Sequence, residues 1–160
     1  MAYTPAPGDY GVVHTNGFFG KLIRLGTLSR WNHAFVYIGN GQIVEANPSG
    51  VAISPVDKYP AYYVAWNQHE KLNEEQRMQI VAHAKSMVGV SYGFVDIANL
   101  AFRILGLKVI ANTKIFKTAS KRYGVICSEL VAECYGAAGI DFGSPISVTP
   151  GDLAYRLVYQ

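Results

Sequence analysis

Two β-prone runs, residues 33–38 and 42–46, flank Gly39-Asn40-Gly41. Asn and Gly tolerate the left-handed backbone of a tight turn, so this pattern predicts a hairpin. An antiparallel sheet follows from it. Three more runs supply candidate strands: Tyr10 to His14, Val51 to Ile53 and Tyr62 to Trp66. Residues 8–66 therefore read as mostly strands. Phe18 to Leu28 fits either type, with helix-like apolar spacing broken by Gly20 and Gly26.

The second half changes period. Ile80, Val81, Ala84, Met87 and Val88 recur at helical spacing. Asn73 as N-cap and Gln76 at the third helical position make a capping box, and Gly89 is the expected stop. The spacing predicts a helix over 74–88. A second amphipathic stretch spans 94–106, followed by a basic connector at 107–123. Residues 127–138 read as a helix with Leu130, Val131 and Cys134 toward the core and Gly139 as its stop. Ala154 to Tyr159 reads as a closing strand. Pro150-Gly151-Asp152 repeats Pro7-Gly8-Asp9, which reads as a chance turn repeat or as the trace of a permutation that left one loop-to-strand entry at both ends.

A chain of 160 residues, half apolar and 16% charged, predicts one globular domain over 1–160. The class is α+β. The net charge of +3 suits approach to anionic surfaces but selects none of them, and no basic block with interleaved aromatics marks a nucleic-acid binder. No apolar run of 18 residues is present, and the first residues lack a basic region followed by an apolar one. The expectation is a protein cytoplasmic as synthesised, released or delivered to a cell wall by other means. Cys127 and Cys134 on one helix would stand roughly 10 Å apart. That exceeds the reach of a disulfide and fits no zinc pattern, so free thiols, no metal and no cofactor are expected.

Cys127 is the candidate nucleophile. It stands where the β-prone Gly124-Val125-Ile126 meets the helix-prone Ser128-Glu129-Leu130-Val131. A helix N-terminus favours thiolate over thiol. Cys134 lies within the apolar periodicity and reads as core. His33 is the candidate base and Glu45 the group that orients it. His33 shares a strand face with Trp31, Phe35 and Tyr37. A two-residue loop at Asn40-Gly41 would send Glu45 to the opposite face. A three-residue loop, Gly39-Asn40-Gly41, would pair Phe35 with Glu45 and bring Glu45 diagonally beside His33. The triad reading therefore predicts an odd-length loop here. The backbone N–H of Cys127 is a ready oxyanion donor, and Tyr92, Ser128 and Trp31 are candidate oxyanion or substrate-binding residues. His14 is a weaker candidate base. His69 and His83 lie in polar settings without a partner pattern.

These residues together resemble a known group. Residues 32–46, Asn32-His33-Ala34-Phe35-Val36-Tyr37-Ile38-Gly39 through Glu45-Ala46, resemble the His strand and following strand of NlpC-type papain-like cysteine peptidases. Gly89-Val90-Ser91-Tyr92 resembles their Tyr-bearing segment, and Cys127-Ser128-Glu129-Leu130-Val131 resembles their nucleophile helix. The order is His before Cys, as in the circularly permuted branch that includes YiiX-like proteins and lecithin retinol acyltransferase-like enzymes. Ile126 and Glu129 stand where the usual family has Asp and Gly.

The resemblance implies a permuted papain-like fold, with a central antiparallel sheet packed against the helix that bears Cys127. It implies a thiol hydrolase acting on an amide through Cys127, His33 and Glu45. A cell-wall peptide is the favoured substrate. Two alternatives stay open: a lipid acyltransferase or esterase using the same acyl-thioester, and a binding module without catalysis. Residues 94–123 are a candidate surface for peripheral lipid contact, or else a packing helix and a solvated loop. The oligomeric state is not encoded in any of these features.

Overall fold

The computed structural model describes residues 3–16, 29–60, 63–68, 71–91, 126–143 and 148–157. Five strands form one antiparallel sheet: β1 (Tyr10–Val13), β2 (His33–Gly39), β3 (Gln42–Asn47), β4 (Gly50–Pro55) and β5 (Val64–Trp66). Their spatial order is β4-β3-β2-β1-β5. A 3-10 turn, Val56–Lys58, follows β4. Three helices complete the described chain: α1 (Glu74–Ser86), α2 (Cys127–Ala137) and α3 (Pro150–Arg156).

Alternation along the strands gives the sheet two apolar faces. Tyr10, Val12, Ala34, Val36, Ile38, Val44 and Ala46 face the helices, where they meet Ile80 and Ala84 of α1 and Leu130, Val131, Cys134 and Tyr135 of α2. The other face holds a smaller cluster of Val13, Phe35 and Ile43, covered by Tyr37, Val56, Tyr59, Val64 and Trp66. Cys127 to Ala132, Cys134 and Tyr135 are all buried, so α2 is the most deeply packed helix among the described residues.

Local sequence explains the helix ends. Asn73 Oδ1 accepts from Gln76 N at 2.8 Å, and Asn73 N donates to Gln76 Oε1 at 3.0 Å, which completes the expected capping box. Helix α1 ends at Ser86, earlier than the periodicity suggests. Val88 is 43% exposed rather than part of the buried stripe. Gly89 lies beyond the C-cap Met87 with φ +92°, and its N–H donates to Val51 O at 2.9 Å. At the end of α2, Gly139 adopts φ +76°. Its N–H donates to Gly136 O and that of Ile140 to Tyr135 O, at 3.0 and 2.9 Å, which satisfies the last carbonyls.

The expected closing strand is corrected. Residues 154–156 lie in α3, not in a strand. Thr149-Pro150-Gly151-Asp152 is a capping box: Thr149 Oγ1 accepts from Asp152 N at 3.1 Å, and Asp152 Oδ2 accepts from Thr149 N at 2.8 Å. The two Pro-Gly-Asp copies therefore fold differently. Pro7-Gly8-Asp9 turns into β1, with Gly8 at φ +94°, whereas Pro150-Gly151-Asp152 opens a helix. The shared loop-to-strand entry does not exist at the second copy. The readings for 18–28 and for 94–123 lie outside the described residues, apart from the start of α2 that follows them.

A buried polar chain ties the N-terminal turn to α2. Tyr135 OH donates to Gly8 O at 2.9 Å and accepts from Asn67 Nδ2, while Asn67 Oδ1 accepts from Tyr10 N at 2.9 Å. Asp9, fully buried, takes Arg77 Nη1 at 2.9 Å and Tyr3 OH at 2.7 Å.

Candidate active site

His33 is the first residue of β2, so its ring sits at the end of the sheet rather than in its middle. The preceding residue fixes this position. Asn32 N donates to Val13 O at 3.2 Å, and its side chain exchanges hydrogen bonds with the Thr15 backbone, both at 2.7 Å. Strand alternation ends there. Trp31 does not continue the face of Phe35 and Tyr37, but packs, half-buried, against the helix-side core beneath the Arg30 guanidinium.

The β2–β3 register pairs Phe35 with Glu45, Val36 with Val44 and Tyr37 with Ile43. This is the register that the triad requires, but a different turn produces it. The tip is the two-residue Asn40-Gly41 turn, with φ +53° and +70°, and it pairs Gly39 with Gln42. A bulge between Tyr37 and Gly39, with Gly39 at φ +92°, then inserts the extra residue. Glu45 thereby returns to the face of His33.

The contact is direct. His33 Nε2 lies 2.7 Å from Glu45 Oε2. Glu45 is fully buried and His33 nearly so. Cys127, also buried, is the first residue of α2 and is near enough to raise the His33 pKa together with Glu45. Since Nε2 is engaged by Glu45, Nδ1 is the ring nitrogen left for the thiol. Three elements thus meet at one imidazole: the start of β2, the middle of β3 and the N-terminus of α2.

Burial alone would push the His33 pKa down. The hydrogen bonds to Cys127 and Glu45, and the negative charge each carries when ionised, outweigh burial and raise it to about 9. Burial likewise works against the Glu45 carboxylate. The bonds from His33, Lys58 and Ser54 and the charge of His33 overcome it, and hold Glu45 well below the usual carboxylate range. Cys134 behaves as a core thiol: burial and the nearby Glu133 push it up to about 12.

Three partners of Glu45 escaped the sequence reading. Tyr59 OH donates to Oε2 at 2.6 Å, Lys58 Nζ pairs with Oε1, and Ser54 helps to lower the carboxylate pKa. Ser54 was within reach of the register argument. Ala52 pairs with Glu45, so Ser54 is its diagonal neighbour on the same face. Lys58 and Tyr59 arrive through the 3-10 turn, which no strand pattern announces. Burial and the bond to Glu45 drive the Tyr59 hydroxyl pKa strongly upward, so it acts as a donor.

Ser128 is buried and its hydroxyl donates to Val148 O at 2.7 Å, tying α2 to the segment before α3. Glu129 Oε2 accepts from Ile126 N at 2.9 Å and caps α2 from within. Tyr92 lies outside the described residues. The chain just before it is fastened to β4, with Val51 N donating to Val90 O at 2.8 Å. His14 binds Arg30 O at 2.9 Å and Asn16 Oδ1 at 3.2 Å.

Comparisons with known proteins agree with this architecture. Residues 8–154 match the family model described as permuted papain-like amidase enzyme, YaeF/YiiX, C92 family. No curated protein matches the chain. Among solved structures, the crystal structure of metalloprotein yiiX from Escherichia coli O157:H7 is similar, with a TM-score of 0.60 and 20% identity over 89% of this chain and 71% of that one. At that identity the likeness speaks for the fold. The family match spans nearly the whole chain, and it carries the activity class with it: the chain belongs to the permuted papain-like amidases, a family of cysteine hydrolases.

Proposed function

We propose that this amidase cleaves its substrate through Cys127, His33 and Glu45, by way of an acyl-thioester. The observation that carries the reading is the buried His33–Glu45 pair at 2.7 Å, with Cys127 at the start of α2 acting on the same imidazole. Cys127 Sγ attacks the amide carbonyl carbon. The C–N bond breaks, and His33 gives its proton to the departing amine. Water then attacks the thioester while His33 takes a proton from it. The C–S bond breaks, the acid leaves, and His33 returns its proton to Sγ. The same proton exchange, in reverse, opens the cycle when Sγ gives its proton to His33 before attack. Glu45 holds the imidazole orientation and offsets its charge in both halves of the cycle. The Cys127 backbone N–H, in the first turn of α2, is the proposed donor to the tetrahedral oxyanion.

The substrate we favour is a cell-wall peptide. Support comes from the likeness of residues 32–46 and 127–131 to NlpC-type peptidases, and the net charge of +3 suits an anionic wall. Among the described residues, no group of three or more His, Cys, Asp or Glu side chains could hold a metal ion. No helix among the described residues is long and apolar enough to cross a membrane.

The test is a product screen by mass spectrometry. Wild type and Cys127→Ala are each incubated with muropeptides and with fatty acyl amides and esters. A shortened muropeptide made by wild type alone supports the reading. Release from acyl lipids alone would move the substrate to the lipid class while leaving the thiol mechanism in place. Equal products from both proteins would remove Cys127 from the mechanism.

A further inference from the structure

The environment of Glu45 is more elaborate than a triad needs. A carboxylate offers about four acceptor positions. Here three side chains reach it: His33 and Tyr59 on Oε2, at 2.7 and 2.6 Å, and Lys58 on Oε1. Glu45 is fully buried, while the Lys58 side chain is about one-third exposed. Tyr59 is itself held in place. Its ring lies parallel to that of Phe35, 5.3 Å between centroids and 3° apart, and 5.8 Å from the His33 ring. The backbone of the turn is anchored too, since Val56 N donates to Gly41 O at 2.8 Å and Tyr59 N to Val56 O at 3.1 Å. Lys58 Nζ also stands 5.1 Å over the Tyr59 ring.

We propose that Lys58 and Tyr59 are positioning residues for the reaction: Lys58 holds Oε1 and Tyr59 holds Oε2 beside His33, and together they fix the carboxylate that orients the imidazole toward Cys127. This rests on the triad reading above. Without these two donors, Glu45 could rotate about its terminal torsion, and the imidazole would follow it. With them, Lys58, Glu45 and His33 form a line in which the carboxylate stands between two basic groups.

The line predicts a signature that a merely structural role would not give. Among the described residues, the titratable groups acting on His33 are Glu45 from β3 and Cys127 from α2, with Tyr59 against its ring and Lys58 behind Glu45. Removing Lys58 deletes a positive charge behind Glu45. The carboxylate keeps its Tyr59 bond but loses its nearest opposing charge other than His33, so its negative charge acts more fully on His33 and the imidazolium is stabilised. His33 should therefore hold its proton to higher pH.

The experiment is the pH profile of Cys127 carboxymethylation by iodoacetate, followed on the Cys127 peptide by mass spectrometry. The anionic reagent is drawn by imidazolium, so its rate falls as His33 loses its proton. In Lys58→Met the alkaline limb should move up by about half a unit to one unit, the range expected for one part-exposed charge. Lys58→Arg should restore the wild-type limb. Tyr59→Phe, which keeps the stack on Phe35, should move the limb in the same direction by less. Thermal unfolding of each variant separates this from loss of fold. A limb unmoved in both Lys58→Met and Tyr59→Phe, yet abolished in His33→Ala, would overturn the positioning role and leave the triad standing. A limb that survives in His33→Ala would overturn both.

Discussion

Phe35 and Glu45 stand opposite each other across the β2–β3 ladder, and this pairing delivers Glu45 to His33. A slip of one residue would put Glu45 on the helix-side face, among Val36, Val44 and Ala46. There a buried carboxylate would have no donor. The register of one hairpin thus decides whether the chain has a base that can be oriented.

Replacing Glu45 by Gln keeps the shape and removes the charge. The amide must turn its oxygen to some of the three donors and its NH2 to others, so His33 loses a fixed acceptor. The expected result is a fall in kcat of about 10⁴-fold, the size of effect when a triad carboxylate becomes an amide. KM should change far less. Steady-state kinetics on the cleaved substrate checks this.

The pair also shapes stability against pH. The His33 pKa rises from 6.5 to about 9 on folding, so its contribution is complete below about 6.5 and is lost as pH climbs through about 9. The Glu45 pKa falls on folding from 4.5, so its contribution is complete above 4.5 and is lost as pH drops below that. For these two groups the most stable window lies between. Urea midpoints measured across pH should decline on both sides of it, and His33→Ala should flatten the alkaline decline.

Gly11 pairs with Phe35 from β1 and leaves room for its ring. A methyl added at Gly11 would lie 2.7 Å from Phe35 Cε2 and 2.9 Å from Val64 Cγ1. Phe35 would have to shift against Tyr59, which holds Glu45. Gly11→Ala should destabilise the fold by about 1–3 kcal/mol, the usual cost of overpacking. It should also slow turnover, which chemical unfolding and an activity assay read separately.

The Asn73 cap lies far from the site in function. Asn73→Ala removes the acceptor for Gln76 N and should cost about 1 kcal/mol. Activity per folded molecule should be unchanged, as judged by turnover at a temperature where both proteins are fully folded.

The site was legible where side-chain period and residue chemistry agreed. His33, Glu45 and Cys127 were each visible because strand alternation and a helix start dictate where such groups project. The turn was read only halfway. Asn40-Gly41 is the signature of a two-residue turn, and by itself it points Glu45 the wrong way. The correction comes from a bulge that Gly39 makes affordable. Lys58 and Tyr59 stayed hidden, because a charged residue and an aromatic one after Pro55 look like solvated loop, and only tertiary packing brings them under Glu45. The last helix was misread because β-prone residues near the C-terminus outweighed Thr149-Pro150-Gly151-Asp152, which carried the capping signal. Trp31 was placed one step too far along a strand that begins at His33.

The central claim is that Cys127 forms an acyl-enzyme with help from His33. Intact and peptide mass spectrometry after mixing with an activated ester such as p-nitrophenyl acetate tests it most directly. The account predicts one acetyl group on the Cys127 peptide of wild type, none in Cys127→Ala, and much slower labelling in His33→Ala. Acetylation at Cys134 instead, or equal labelling in all three proteins, would contradict it.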